Sequence, residues 1–134
     1  LGKTNNMEPP KLVLSVLKET FSIHRLAPDA SLPEAVNECD FYSLSKTTDE
    51  LSLVCPEHLA VQSEKSNPDW KCFRVAGPLD FKLTGILAGI ADILAEKQIS
   101  IFATSTFDTD YILIKKRNLT TAVSALERAG YHFN

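Results

Sequence analysis

Three kinds of side chain in this sequence have the chemistry for a reactive site: histidines, cysteines and a close pair of aspartates. The histidines and cysteines are scattered, without the HExxH or CxxC spacing of zinc sites, at His24, His58, His132, Cys39, Cys55 and Cys72. Cys55 and His58 are near each other in sequence, but the intervening Pro56 gives no reason to expect the geometry of a nucleophile and its base. We therefore predict no metal ligand and no catalytic residue, and we rank an enzyme last.

The aspartate pair is Asp108 and Asp110, which flank Thr109. These carboxylates are either ligand groups or turn residues, because Asp in a tight turn accepts hydrogen bonds from nearby backbone amides. A metal site built from two carboxylates alone is the least favoured interpretation. We predict a turn at this segment and leave the ligand role open.

Composition narrows the class of protein. The 134 residues suffice for one compact core or two small units sharing one, and 44% hydrophobic with 23% charged residues is typical of a folded, water-soluble protein. The net charge of -3, with a single short basic cluster at 115–117, disfavours nucleic-acid binding. The longest apolar stretch, 86–95, contains Gly89 and Asp92 and is far shorter than the roughly 20 residues of a membrane span.

The cysteines and the start of the chain bear on location. Three scattered cysteines indicate no disulfide framework, so we interpret them as reduced thiols of a cytoplasmic protein. Residues 1–6 precede Met7 and lack the charged and apolar regions of a signal peptide, and the sequence leaves open whether these six residues are native. No cofactor is expected.

The N-terminal half, residues 11–66, is predicted to form a small unit of its own. Ser31 is expected to cap a short helix with Pro33 in its first turn. The polar stretch 56–68 has no periodicity, so the boundary is placed near Asn67. The predicted strands are 12–17 and 21–24, as two strands or one bent strand, and a hairpin formed by 41–47 and 51–55.

The C-terminal half, residues 67–134, is more strongly patterned. Apolar residues at helical spacing predict one helix over 84–98 and another between Asn118 and Gly130. Strands are predicted at 70–76, 99–107, 111–114 and 131–133. The order βαββαβ predicts an α+β, ferredoxin-like fold, with an antiparallel sheet covered by helices on one face.

The segment Gly85 to Ile101 resembles the first helix and second strand of an ACT domain, with a glycine, a Leu/Ile-rich helix and a Q-I-x-I strand. The segment Ser105 to Ile114 is similar to the hairpin of ACT-type proteins related to aspartate kinase regulatory regions and CASTOR-type arginine sensors. The resemblance implies tandem ACT-like units, 11–66 and 67–134, that hold an amino acid where the loop before the first helix meets a neighbouring domain.

The resemblance also implies a set of ligand-binding residues. Asp110 matches the carboxylate that receives a basic side chain such as that of arginine, and a carboxylate binds a guanidinium with directional, charge-assisted hydrogen bonds. The start of the helix presents unpaired N–H groups suited to an α-carboxylate. Many ACT domains carry proline where this chain has Thr84, so the chain departs from the family pattern in the loop before the helix. The predicted set is Thr84, Gly85, Ile86, Thr106, Phe107 and Asp110.

Two functions follow. The first is an amino-acid-binding sensor, expected as a homo-oligomer, that transmits ligand occupancy to a regulated protein partner. The alternative is a ligand-free dimerisation or protein-interaction domain that regulates an enzyme encoded elsewhere.

Overall fold

A computed structural model of the chain describes residues 12–76 and 85–134. The described residues form two compact units: unit 1 comprises 12–17, 72–76 and 85–134, and unit 2 comprises 18–71. Their elements are β1 (Val13–Val16), β2 (Phe21–Leu26), β3 (Ser43–Lys46), β4 (Leu51–Pro56), β5 (Lys65–Val75), α1 (Ile86–Glu96), β6 (Ile101–Ser105), β7 (Asp110–Lys115), α2 (Leu119–Arg128) and β8 (His132–Phe133).

Unit 1 has the predicted α+β, ferredoxin-like architecture, with strands in the order β8, β1, β5, β7, β6. The N-terminal strand β1 pairs antiparallel with β5 and parallel with β8, so it lies between the first and last strands of the βαββαβ unit. The sequence predicts strand 12–17 as part of the N-terminal half, whereas β1 lies in unit 1, because side-chain alternation indicates that a strand exists and not which strand it pairs with.

Both helices of unit 1 pack on the same face of the sheet. The buried stripe of α1 is Ile86, Ile90 and Leu94, and α2 contributes Ala122 and Leu126. These residues join alternate strand positions in one hydrophobic core, at Leu14, Phe73, Val75, Ile112 and Ile114. Full burial of each large aliphatic side chain stabilises the fold by about 1.5–3 kcal/mol.

The ends of α2 follow the sequence signals in part. Gly130 has φ 101°, and the amides of Gly130 and Tyr131 donate to the carbonyls of Glu127 and Leu126, as in a Schellman motif. Asn118 occupies the N-cap position, but its side chain makes no capping hydrogen bond. A short 3-10 helix, Lys116–Asn118, leads into α2 in place of a side-chain cap.

Unit 2 is a four-stranded sheet in the order β3, β4, β2, β5. Its core contains Leu26, Val36, Leu51, Leu53 and Cys55. The predicted hairpin is present as β3 paired antiparallel with β4.

The short helix of unit 2 differs from the prediction. It is a 3-10 helix, Glu34–Glu38, whose N-cap is the extended Pro33, and Ser31 does not cap it. Five residues are too few to offset the cost of nucleating an α-helix, so the burial of Val36, which is 1% exposed, fixes the segment instead.

Strand β5 also differs, since it begins at Lys65 and not near Trp70. Residues 65–69 are exposed and therefore show no apolar alternation, yet Lys65, Ser66 and Asn67 pair with β2. Backbone pairing extends a strand where side chains give no signal.

Helix α1 lies within the predicted range and starts at Ile86. The predicted helix start at Thr84 and the predicted break at 77–78 lie outside the described residues. Neither described helix is long and apolar enough to cross a membrane.

Candidate functional site

The β6–β7 connection is a tight turn over residues 106–109. The Thr106 amide donates to the Thr109 carbonyl at 2.8 Å, and the Thr106 hydroxyl donates to the same carbonyl at 3.1 Å. The Thr109 amide donates in return to the Thr106 hydroxyl oxygen at 3.3 Å. Threonine hydroxyls thus close the turn, while Asp108 is exposed and Asp110 is the first residue of β7.

A buried hydrogen bond ties this turn to strand β5. Thr109 is 4% exposed, and its hydroxyl donates to the carbonyl of Val75 at 2.7 Å. Val75 is the last residue of β5. No sequence signal distinguishes Thr109, because a hydroxyl residue between two aspartates resembles any polar turn residue.

Asp110 is held from the neighbouring strand. Ser105 is its register partner across the hairpin, and the Ser105 hydroxyl donates to Oδ1 of Asp110 at 2.5 Å. Since an ionised carboxylate has about four acceptor positions, this bond fixes the orientation of Asp110 without exhausting its capacity. Asp110 is only partly buried, so a ligand can still reach its carboxylate.

The start of α1 has an unusual backbone. Gly85 is its N-cap with φ 79° and ψ 1°, a left-handed conformation in which a side chain would be strained. Gly85 has no side chain with which to cap the helix, so the N-cap residue itself supplies no side-chain acceptor to the first N–H groups. The side chain of Ile86 is 8% exposed within the core, so only the backbone of this predicted ligand residue can face a ligand. Thr84 lies outside the described residues.

The remaining two predicted residues lie on the turn itself. Thr106 is exposed, and Phe107 is 81% exposed. A large exposed aromatic residue at the tip of a hairpin presents apolar surface that a ligand or a partner can contact.

The turn lies at the end of the sheet where strands β5 and β6 finish. Strand β5 ends at Val75 and β6 ends at Ser105, and the Thr109 to Val75 bond joins the two places. Ile86, at the start of α1, shares the core with Val75. The predicted ligand-binding residues within the described chain therefore fall into two groups. One group lies on or beside the turn that is tied to the end of β5, and the other lies at the start of α1, which packs on the core that contains Val75.

Within residues 12–76 and 85–134, the structure shows neither a cluster of metal ligands nor a cysteine activated as a nucleophile. No group of three or more His, Cys, Asp or Glu side chains there could hold a metal ion. Cys55 is completely buried, and burial raises the pKa of its thiol to about 11. A thiol of that pKa is almost wholly protonated near neutral pH and is a poor nucleophile beside His58.

The fold defines a class, the ferredoxin-like βαββαβ domain. A family model described as the ACT domain matches residues 65–128, and a second model, of an N-terminal domain, matches residues 19–62. A crystal structure of a protein from Agobacterium tumefaciens is 33% identical, with 93% of each chain covered and a TM-score of 0.85. Residues 65–128 of this chain therefore belong to the ACT domain family.

Named relatives point in the same direction. The cytosolic arginine sensor for mTORC1 subunit 1 of Pongo abelii is 29% identical over 130 residues, which cover 89% of this chain, and the Homo sapiens protein is 28% identical. This chain spans 39% of the length of each of these sensors.

A regulatory subunit of aspartate kinase has the same fold. The regulatory subunit of aspartate kinase from Thermus thermophilus is 11% identical, with a TM-score of 0.61 over 87% of this chain and 96% of that subunit. The similarity is therefore to a regulatory subunit and to sensors.

Proposed function

We propose that this chain is a regulatory module that binds a free amino acid with a basic side chain, arginine in particular. The observation that carries the proposal is the carboxylate of Asp110, oriented by Ser105 beside a turn that is tethered to β5. Similarity to proteins named as arginine sensors supports the choice of ligand.

Asp110 is proposed to select the ligand side chain. A guanidinium donates parallel hydrogen bonds to a carboxylate, and such pairs are roughly twice as strong as hydrogen bonds between neutral groups. The bond from Ser105 restricts the Asp110 rotamer before the ligand arrives, which reduces the entropy lost on binding.

The start of α1 is proposed to bind the ligand's α-carboxylate. Backbone N–H groups at Gly85 and Ile86 and the partial positive charge of the helix start suit an anion, and Thr84 stays in the proposed set as the residue before them. Gly85 allows close approach because it has no side chain. Thr106 and Phe107 are proposed to form the wall over the ligand, with the Phe107 ring covering its aliphatic stem.

The module is proposed to act in the cytoplasm as a homo-oligomer and to pass ligand occupancy to a protein partner. The arginine sensors of the comparison support a regulatory role of this kind. Among the described residues, no feature favours the alternative of a ligand-free interaction domain over a binding module.

A thermal-shift screen of the full chain against the twenty amino acids tests the proposal. A ligand that binds only the folded state stabilises it by about 2.7 kcal/mol at a hundredfold excess over its dissociation constant. Arginine, and more weakly lysine, should raise the melting temperature.

Asp110→Asn should abolish the shift with arginine while leaving the fold intact, because amide and carboxylate are nearly equal in size. Asp108→Asn is the matched control, since Asp108 is an exposed carboxylate two residues away, and it should keep the shift. The absence of a shift with every amino acid at millimolar concentration would contradict the proposal.

A further inference from the structure

A cleft of about 280 Å³ lies on unit 1, between the end of α1 and one face of α2. It is lined by two cations, three hydroxyls and one buried alanine, at Lys97, Arg128, Thr120, Thr121, Ser124 and Ala125. None of these lining residues is acidic. The cleft therefore presents positive charge and hydrogen-bond donors to a molecule that enters it.

The spacing of residues along α2 brings its polar side chains together. Thr121, Ser124 and Arg128 follow one another at steps of three and four residues, which are neighbours on a helix surface. The core stripe of this helix, Ala122 and Leu126, faces the sheet instead. The polar face of α2 is thus available to a ligand.

Lys97 reaches the cleft from a different element. It is the C-cap of α1, and its amide and that of Ile99 both donate to the Leu94 carbonyl at 3.0 Å, which fixes the backbone here. The negative end of its own helix favours a lysine at this position. That effect does not account for its place beside Thr120 and Thr121, because they lie in the first turn of α2, where the helix dipole is positive.

The start of α2 does not balance this positive charge. Its first turn contains no acidic residue, the Asn118 side chain makes no capping bond, and Lys116 and Arg117 precede it. The Leu119 amide donates to the Lys116 carbonyl within the 3-10 turn. The donors that line the cleft are therefore side chains and not a bare helix start.

The two cations of the cleft are also without a carboxylate partner. Neither Lys97 nor Arg128 forms an ion pair with another residue of the described ranges. Glu96 and Glu127, their neighbours in sequence, are exposed and do not line the cleft. Like charges on one cleft repel each other, and an anion between them would convert that repulsion into attraction.

We propose that this cleft binds a phosphoryl group, either as free phosphate or as the phosphate end of a small monoester. An arginine fork donates to two oxygens at once, and a lysine acts on phosphate as a point charge. The hydroxyls of Thr120, Thr121 and Ser124 supply further donors. A phosphate monoester has three acceptor oxygens for such a set, whereas a carboxylate has two.

The size of the cleft limits the ligand. Pockets for drug-sized ligands measure about 300–1,000 Å³, so a cleft of about 280 Å³ suits a phosphoryl group on a small carrier. The cleft also lies at the opposite end of α1 from the proposed amino-acid site. The eleven residues of that helix span about 16 Å, with Gly85 before the first and Lys97 after the last.

Calorimetric titration of the full chain with inorganic phosphate tests the proposal, at an ionic strength held constant with sodium chloride. Binding is measured directly because phosphate also stabilises folded proteins through exclusion from their surface. The titration contains no amino acid, so its result does not depend on the proposed amino-acid site.

Two variants test the lining residues. Arg128→Gln should raise the phosphate dissociation constant by about tenfold or more, and Ser124→Ala by about tenfold, because each removes a hydrogen bond to a charged group. Ser124→Ala leaves the net charge unchanged, so a general attraction between phosphate and a basic surface would not respond to it. Alanine also favours the helix, and the circular dichroism spectrum should be retained.

Arg117→Gln is the matched control for charge. Arg117 is exposed just before α2 but does not line the cleft, so this change should alter the dissociation constant by less than about twofold. Glycerol 3-phosphate distinguishes the two sources: tighter binding than inorganic phosphate would identify a monoester as the ligand, and weaker binding would identify free phosphate.

Three results would overturn the proposal. The first is no heat of binding with either compound at 10 mM, a concentration about ten times a weak dissociation constant of 1 mM. The second is binding that Ser124→Ala leaves unchanged, and the third is an equal effect of Arg117→Gln and Arg128→Gln.

Discussion

The hydroxyl of Thr109 donates a buried hydrogen bond of 2.7 Å to the carbonyl of Val75, which lies 34 residues earlier in the chain. This bond fixes the turn before Asp110 against the strand that leads toward α1. It makes the position of the proposed ligand carboxylate depend on tertiary structure and not on the turn alone.

Thr109→Val should therefore lower the free energy of unfolding by about 1–3 kcal/mol, because an isosteric methyl group leaves the buried Val75 carbonyl without its donor. It should also weaken arginine binding, since the turn loses its tether. Urea denaturation and calorimetric titration measure the two effects. Thr109→Ser retains the hydroxyl and should recover most of both; equal losses in the two variants would show that the methyl group matters and the hydrogen bond does not.

Stability should fall in mild acid because of His24. This residue is 8% exposed, its Nδ1 lies 3.0 Å from the Ser63 hydroxyl oxygen, and burial lowers its pKa below the ordinary value of 6.5. The unfolded chain then binds a proton more readily, so the contribution of His24 is complete above about pH 6.5 and is lost as the pH falls through the folded-state pKa. His24→Gln should flatten unfolding curves across this window.

The control for that experiment is His58→Gln, at an exposed histidine, which should keep the pH profile of the unmodified chain. A profile unchanged by His24→Gln would assign the acid sensitivity to carboxylates instead.

The thiols should differ in reactivity. Burial raises the pKa of the Cys39 thiol and raises that of Cys55 to about 11, but Cys55 and Cys72 are fully buried, whereas Cys39 is only half-buried and a reagent can reach it. Since the thiolate is the reactive form, a disulfide reagent at pH 8 should label Cys39 in the folded chain and all three cysteines in denaturant. Cys39→Ser should remove the early phase; rapid labelling that survives this change would mean that a buried thiol becomes accessible through local opening.

Gly89 and Tyr131 should be energetically coupled. A Cβ atom at Gly89 would lie 3.0 Å from the Tyr131 hydroxyl oxygen, so the tyrosine must shift to admit it. Overpacking costs about 1–3 kcal/mol and should exceed the gain of about 1 kcal/mol from alanine in a helix. Gly89→Ala should destabilise the chain but should be neutral or stabilising in a Tyr131→Phe background. Additive changes in a double-mutant cycle of thermal melts would exclude the contact.

The two helices of unit 1 show how far sequence reasoning reaches. Helix periodicity and Gly130 predicted α1, α2 and the end of α2, because these signals act within a few residues. Residues 65–69 gave no such signal, since their strand is defined by pairing with β2.

The sequence by itself determined the order of helices and strands, the helix faces that are buried and the resemblance to ACT domains. Each depends on local periodicity, caps and turn residues, whose physical effects do not require distant partners. Tertiary structure alone decided that β1 inserts beside β5 and that Thr109 ties the turn to Val75. Pairing partners and buried hydrogen bonds join residues far apart in the chain, so no local pattern encodes them.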